Sequence, residues 1–271
     1  MENVKIEDFN KKLDRLIEIL CLENKNLNIN NLNLKNKSYD EKLKVFNYLC
    51  LTREGAPLSF EFLKLQNDIL AYENSKRKIV DAQNLNYTNN MSIYVGDIRD
   101  LKADAIVCGG KDAFTEKKSE TSLSSKVLLS GGLQIRQELQ FLLSKQDEYN
   151  PNGFAKIIKA YNLPSKYIIY TVGPRIRFGR LGYREKEDLV NCYKACLDLA
   201  LSKNLETIVF SCISTGGKNY PKKLASDIAV CTVSHWMKTN GYPFKVLFCV
   251  YDEETKKYYE SNFNDYVIGE D

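Results

Sequence analysis

Two short stretches of this chain carry residue types suited to holding a phosphate-bearing nucleotide. Ser211-Cys-Ile-Ser-Thr-Gly-Gly-Lys218 and Val95-Gly-Asp-Ile98 each follow an apolar run of strand character and leave it through glycine, where a helix can begin. Glycine at such a point lets the backbone approach a ligand closely and turns N–H groups toward an anion. In the first stretch Ser214, Thr215, Gly216 and Gly217 would wrap a pyrophosphate with amide donors, assisted by the dipole of a helix beginning near Pro221. Lys218 either adds charge at the edge of that loop or is simply solvated. In the second stretch Asp97 offers a carboxylate acceptor, and Ile98 a backbone N–H and an apolar wall. The competing reading of Asp97 is a loop aspartate capping the next turn. Tyr251 ends a further apolar run, where its ring could stack on a base for about 1–3 kcal/mol. In a chain with 17 tyrosines, a rim or core role is equally open. The implied ligand is a nucleotide diphosphate.

The elements that must position these residues fall into two textures. Residues 1–90 read as a helical extension: Phe9, Leu13, Leu16, Ile17 and Leu20 recur at helical spacing, and Asp40–Thr52 and Ser59–Tyr72 give two more helices. Pro57 and Ser59 supply the break and the N-cap between them. An Asn-rich stretch, Glu23 to Lys37, reads as a loop or linker. From residue 91 onward strand and helix alternate. Strand-like runs occur at Ser92–Val95, Ala105–Val107, Tyr167–Val172, Thr207–Cys212 and Lys245–Val250, with helical segments near 132–144, 185–203 and 221–238. Leu189, Cys192, Tyr193, Cys196, Leu197 and Ala200 make one apolar helix face. Such alternation predicts a three-layer α/β/α domain over residues 91–271, with a mostly parallel sheet whose ligands sit beyond the C-terminal strand ends. Gly96-Asp97, Gly109-Gly110, Ser214–Gly217 and Tyr251-Asp252 all fall at that end, so one cleft can collect all four.

Composition narrows the class. A chain of 271 residues with 44% hydrophobic content can bury a full core. No apolar run approaches the roughly 20 residues of a bilayer span, and the N-terminal stretch lacks the apolar centre of a signal peptide. The eight cysteines lie singly inside apolar segments, which suits reduced thiols and a cytoplasmic location. The formal charge of +4 is mild. Basic residues read as dispersed, with Arg175 and Arg177 as solvated neighbours of the phosphate loop, and nucleic acid is not an expected partner.

The order and wording of VGDIRDLKADAIV (95–107), YNLPSKYIIYTVGP (161–174), CYKACLDLA (192–200) and CISTGGKNYP (212–221) resemble the macrodomain family, the ADP-ribose-binding fold. APLSFEFLKLQNDIL (56–70) is similar to the helical extension of the zinc-dependent macrodomains that remove ADP-ribose from proteins. The resemblance spans roughly residues 40–262. It implies Asp97 for the adenine amino group, Ser214–Gly217 for the pyrophosphate, and Gly109, Gly110 and Lys111 around the distal ribose. The implied partner is ADP-ribose or an ADP-ribosylated protein.

One departure bears on chemistry. In active zinc-dependent relatives the strand ending Ala105-Ile106-Val107 leads into an Asn-rich loop, then a segment with Cys, His and Cys ligands. Here Cys108-Gly109-Gly110-Lys111 follows, and Asp112–Gly131 contains neither cysteine nor histidine. The chain's single histidine, His235, lies far along the sequence, and Cys192 with Cys196 reads as core. No metal or cofactor is expected. Three readings stay open. One is a binder of ADP-ribose whose 109–131 loop has become a charged, flexible rim, as Lys117, Lys118 and the serines at 119–125 suggest. Another is a zinc-independent hydrolase with Lys111 as nucleophile and Asp112, Glu116 or Glu120 as acid or base. The third is a scaffold that has lost nucleotide binding.

Overall fold

Side-chain alternation decides how this chain layers. The computed structural model describes residues 2–23, 29–53, 57–110, 121–144 and 152–268. Within them the strands are β1 (Val80–Asp81), β2 (Met91–Val95), β3 (Leu101–Lys102), β4 (Ala105–Gly109), β5 (Ala155–Lys159), β6 (Tyr167–Thr171), β7 (Thr207–Ser211) and β8 (Lys245–Val250). The helices are α1 (Glu2–Glu23), α2 (Tyr39–Thr52), α3 (Phe60–Ser75), α4 (Leu123–Gly131), α5 (Gln134–Ser144), α6 (Tyr183–Ser202), α7 (Lys222–Thr239) and α8 (Glu253–Phe263).

Six strands form one sheet in the order β2-β8-β7-β4-β6-β5. All neighbours are parallel except the edge pair β5–β6, which is antiparallel. Because successive side chains point to opposite faces, each strand feeds two cores. Ile106, Cys108, Ile168, Tyr170, Val209, Leu247 and Cys249 point to one face and pack with α1–α5. Ala105, Val107, Ile169, Ile208, Phe210, Val246 and Phe248 point to the other, against α6, α7 and α8. A one-residue slip in any strand would exchange these sets, so burial on both faces fixes the register. The result is the predicted three-layer α/β/α arrangement with a helical N-terminal region.

The predicted α6 face is fully buried, including Cys192 and Cys196. The N-terminal helices form much as their pattern predicts. Leu13, Leu16, Ile17 and Leu20 are buried, Phe9 stacks on Tyr72, and the Ser59 hydroxyl accepts from Phe62 N–H. Ser38 and Glu41 cap α2 reciprocally.

Four expectations need correction. The Asn-rich stretch is not plain loop, for its described part makes two short 3₁₀ turns, Ile29–Leu32 and Leu34–Asn36. The first 90 residues are not wholly helical, because β1 pairs with β3. The flexible-rim reading fails for the second half of 109–131. There Ser122 caps α4 through Ser125 N–H, and Ser125, Val127 and Leu128 are buried. Finally, β5 and α8 are additional elements. Only two isoleucines of β5 carry the strand pattern, and α8 starts from a cap by Asp252, which the sequence places beside Tyr251 at the cleft end.

Candidate functional site

At the C-terminal edge of the sheet lies a cavity of about 250 Å³. It is lined by the β2 exit (Gly96, Asp97, Ile98), the β7 exit (Ser211, Cys212, Thr215, Gly216), the end of β8 (Cys249, Tyr251) and the approach to α4 (Thr121, Leu123, Lys126). Of the residues singled out by sequence, it gathers Asp97, Ile98, Thr215, Gly216 and Tyr251. Gly109, Gly110, Ser214, Gly217 and Lys218 stand outside this lining, and Lys111 and Asp112 lie outside the described residues.

The loop after β7 folds on itself in a way that leaves donors over. Thr215 Oγ1 donates to Cys212 O at 3.0 Å, Asn219 N–H to Gly216 O at 2.9 Å, and Tyr220 N–H to Ser214 O at 3.1 Å. The N–H groups of Gly216 and Gly217 find no acceptor among the described residues. A Cβ added at either glycine meets nothing within 4 Å, so these glycines border open space and are not forced by packing. Ser214 sits at φ 67°, buried, and its hydroxyl finds no hydrogen-bond partner among the described residues. Its closeness to Gly173, where an added Cβ would lie 2.2 Å from Ser214 Oγ, makes glycine obligatory there. Lys218 is directed elsewhere than an open rim: its ammonium donates to Gly173 O, and Ile176 N–H donates to Lys218 O at 2.8 Å. Arg175 adds a bond to Gly217 O at 2.9 Å. Together these latch the β7 loop to the exit of β6.

Asp97 is both cap and ion-pair centre. Its carboxylate accepts from Arg99 N–H at 2.9 Å and from the Arg99 guanidinium through both oxygens. Arg77, just beyond α3, adds a contact at 3.2 Å. Burial by itself would raise this carboxyl's pKa, but the hydrogen bonds of Arg99 and the charge of Arg99 and Arg77 outweigh it and bring it down to about 2. Sequence reasoning found Asp97 but neither arginine, although Arg99 two residues on was visible as an i, i+2 partner. Ile98 is buried and packs in the core under α1–α5, as an apolar floor.

Tyr251 is 74% exposed at the cavity mouth, and the Lys126 ammonium lies 5.4 Å from its ring centroid. Asp252 turns away, accepting from Thr255 N–H at 2.7 Å and pairing with Lys222. Cys212 and Cys249 contribute wall, and burial pushes the Cys212 thiol up to about 11 and raises Cys249 further, which disfavours thiolate at neutral pH. Gly110 is held by Thr171 O and offers its own carbonyl to Tyr170 OH.

The Cys, His and Cys ligands that the resemblance implies for a zinc centre have no counterpart in residues 111–131 of the sequence. Such a site requires thiolate or imidazole ligands, and residues 111–131 provide none. Among the described residues no three Cys, His, Asp or Glu side chains cluster to hold a metal, and His235 is on α7, exposed.

Comparison with known proteins agrees with this geometry. The chain matches the Macro domain family over residues 121–229. It is 32% identical over 241 residues to a protein-ADP-ribose hydrolase of Staphylococcus aureus, covering 88% of this chain and 90% of that one. A protein-ADP-ribose hydrolase of Treponema medium is likewise 32% identical over 251 residues, covering 90% and 95%. Among solved structures, a variant of the Oceanobacillus iheyensis macrodomain with ADPR superposes with a TM-score of 0.59 at 26% identity, over 68% of this chain and 98% of that one. The chain belongs to the macrodomain family. No described helix is long and apolar enough to cross a membrane.

Proposed function

We propose that this protein binds ADP-ribose, free or attached to a protein, and that it does so without zinc-dependent hydrolysis. The observation that carries the reading is the cavity beside Asp97, with two unpaired amide donors, Gly216 and Gly217, at its edge. In this reading the adenine amino group donates to Asp97, the ring stacks on Tyr251, and the pyrophosphate lies along Thr215–Gly217. The loop of Gly109, Gly110 and Lys111 flanks the distal ribose. The solved neighbour holding ADPR supports the ligand class. The absence of cysteine and histidine from residues 111–131 supports the non-zinc part. Cysteines outside any disulfide, most of them buried, suit a reducing compartment such as the cytoplasm.

A second reading, zinc-independent hydrolysis, is favoured by the relatives named protein-ADP-ribose hydrolase, which align over most of the chain. The two separate by incubation with an ADP-ribosylated protein, with and without chelator. A binder leaves the modification in place under both conditions. Release of ADP-ribose that survives chelation and disappears in Lys111→Ala would establish the hydrolase. Calorimetry with free ADP-ribose addresses the scaffold alternative, which predicts no heat of binding.

A further inference from the structure

The stretch Arg175-Ile-Arg-Phe-Gly-Arg-Leu-Gly-Tyr-Arg184 interleaves four arginines with two aromatics, so the basic residues are not dispersed here as expected from the sequence. In the structure Arg177 to Arg180 form a tight hairpin, and Tyr183 and Arg184 open α6 just beyond it. Arg177 and Arg180 pair across it, with Arg180 N–H donating to Arg177 O at 3.1 Å. Phe178 and Gly179 at its tip both have positive φ, 53° and 65°. That is the twist of a primed two-residue turn, which favours glycine or asparagine over phenylalanine. The backbone thus holds a bulky aromatic in an unfavoured conformation in order to present it: Phe178 is 96% exposed and Tyr183 80%. Arg177, Arg180 and Arg184 are exposed and have no carboxylate partner among the described residues.

The hairpin's place gives it a ligand. It leaves β6, four strands from β2, so at ~4.8 Å per strand it stands about 19 Å from the Asp97 end of the cleft. Its stem is latched to the β7 loop by Arg175, Ile176 and Lys218. If Asp97 takes the base, this is the end at which the distal ribose, and whatever is attached to it, must emerge. The partner it fits is short. The first turns of α6 carry Glu185, Glu187 and Asp188 around Lys186, a net acidic stretch that disfavours a long polyanion in that direction and leaves room for a few negative charges.

We propose that the stretch 175–184 docks an acidic segment of the protein that bears the ADP-ribose, with Arg177, Arg180 and Arg184 pairing its carboxylates and Phe178 as an apolar anchor. This rests on the ADP-ribose reading of the cleft. The test compares free ADP-ribose with two ADP-ribosylated peptides, one flanked by glutamates and one by serines, on wild type and on the combined Arg177→Ala, Arg180→Ala, Arg184→Ala variant. Free ADP-ribose should bind both proteins equally. The acidic peptide should bind wild type about tenfold more tightly than the serine peptide, and the variant should lose that preference. The preference should also fade between about 50 and 300 mM salt.

Equal binding of both peptides by wild type, while free ADP-ribose binds normally, would overturn the docking proposal alone. Tighter binding of a single-stranded oligonucleotide than of the acidic peptide would also overturn it, in favour of nucleic acid. Failure of free ADP-ribose to bind would remove the reading of the cleft. In that case salt-sensitive capture of the unmodified acidic peptide by wild type and not by the variant would still support docking, and its absence would sink it.

Discussion

Arg77 reaches the carboxylate of Asp97 at 3.2 Å, tying the end of the N-terminal helices to the residue proposed to read the base. The same guanidinium contacts Asp100 at 2.6 Å, so one side chain neutralises two carboxylates of the β2 exit. Arg99 grips Asp97 from within its own turn. The position of Asp97 is therefore set from both sides of the boundary between extension and sheet.

Replacing Arg77 with alanine leaves Asp97 with Arg99 alone and takes the Arg77 ion pair from Asp100. Charged hydrogen bonds contribute about 1.5–3 kcal/mol each, so Arg77→Ala should destabilise the fold by about 1–3 kcal/mol in urea denaturation. It should weaken ADP-ribose binding as well. Unchanged stability would show that this pair carries nothing.

Asp97→Asn keeps the shape of the cap and removes the charge. Calorimetry should show a loss of about 1.5–3 kcal/mol in ADP-ribose affinity, roughly 10- to 150-fold. The pH response has a definite sign. The folded pKa of Asp97, about 2, lies below the ordinary value of 3.8. Its ion pairs therefore stabilise fully above about pH 4 and are lost as pH falls toward about 2. The stability gap between wild type and Asp97→Asn should be flat at neutral pH and should close only in that acid window.

Two glycines should part company. Gly216 borders open space, so Gly216→Val should leave stability within about 0.5 kcal/mol yet lower ADP-ribose affinity at least about tenfold by filling the cleft edge. Gly173→Ala forces a methyl to 2.2 Å from Ser214 Oγ and 2.7 Å from Ile213. It should cost about 1–3 kcal/mol of stability. Equal effects of both substitutions on thermal unfolding would contradict this division.

Tyr251→Phe should preserve ADP-ribose binding, and Tyr251→Ala should reduce it by about 1–3 kcal/mol. Neither should alter folding, since the ring is mostly exposed.

The layering was legible because continuous apolar runs mark the buried strands and a 3.6-residue period marks α6, where Leu189, Cys192, Tyr193, Cys196, Leu197 and Ala200 are fully buried. The loop Ser214–Gly217 was legible because glycine pairs after an apolar run have few other uses. Side-chain pairing was not. Arg77 is twenty residues from Asp97 in sequence, and nothing local says that they meet. Asp252 fits a ligand role and a helix cap equally well by type, and only its bond to Thr255 N–H decides. The serines of 122–125 suggest a mobile rim by composition, yet one caps α4 and another is buried in it. Polar residues mislead where a cap consumes them, and charged ones where the partner is distant.

The same apolar body that closes under β4, β6, β7 and β8 also takes in Leu16, Phe46, Phe62 and Ile69 from α1–α3. Trimming the chain back to residue 91 would thus not yield a smaller working unit. It would strip part of the apolar cover from one side of the sheet, leaving α4 and α5 there with their outer surface wet, and would remove Arg77 along with the helices. In this protein the proposed recognition of a base and the survival of the fold depend together on a segment that the family match, beginning at residue 121, does not reach.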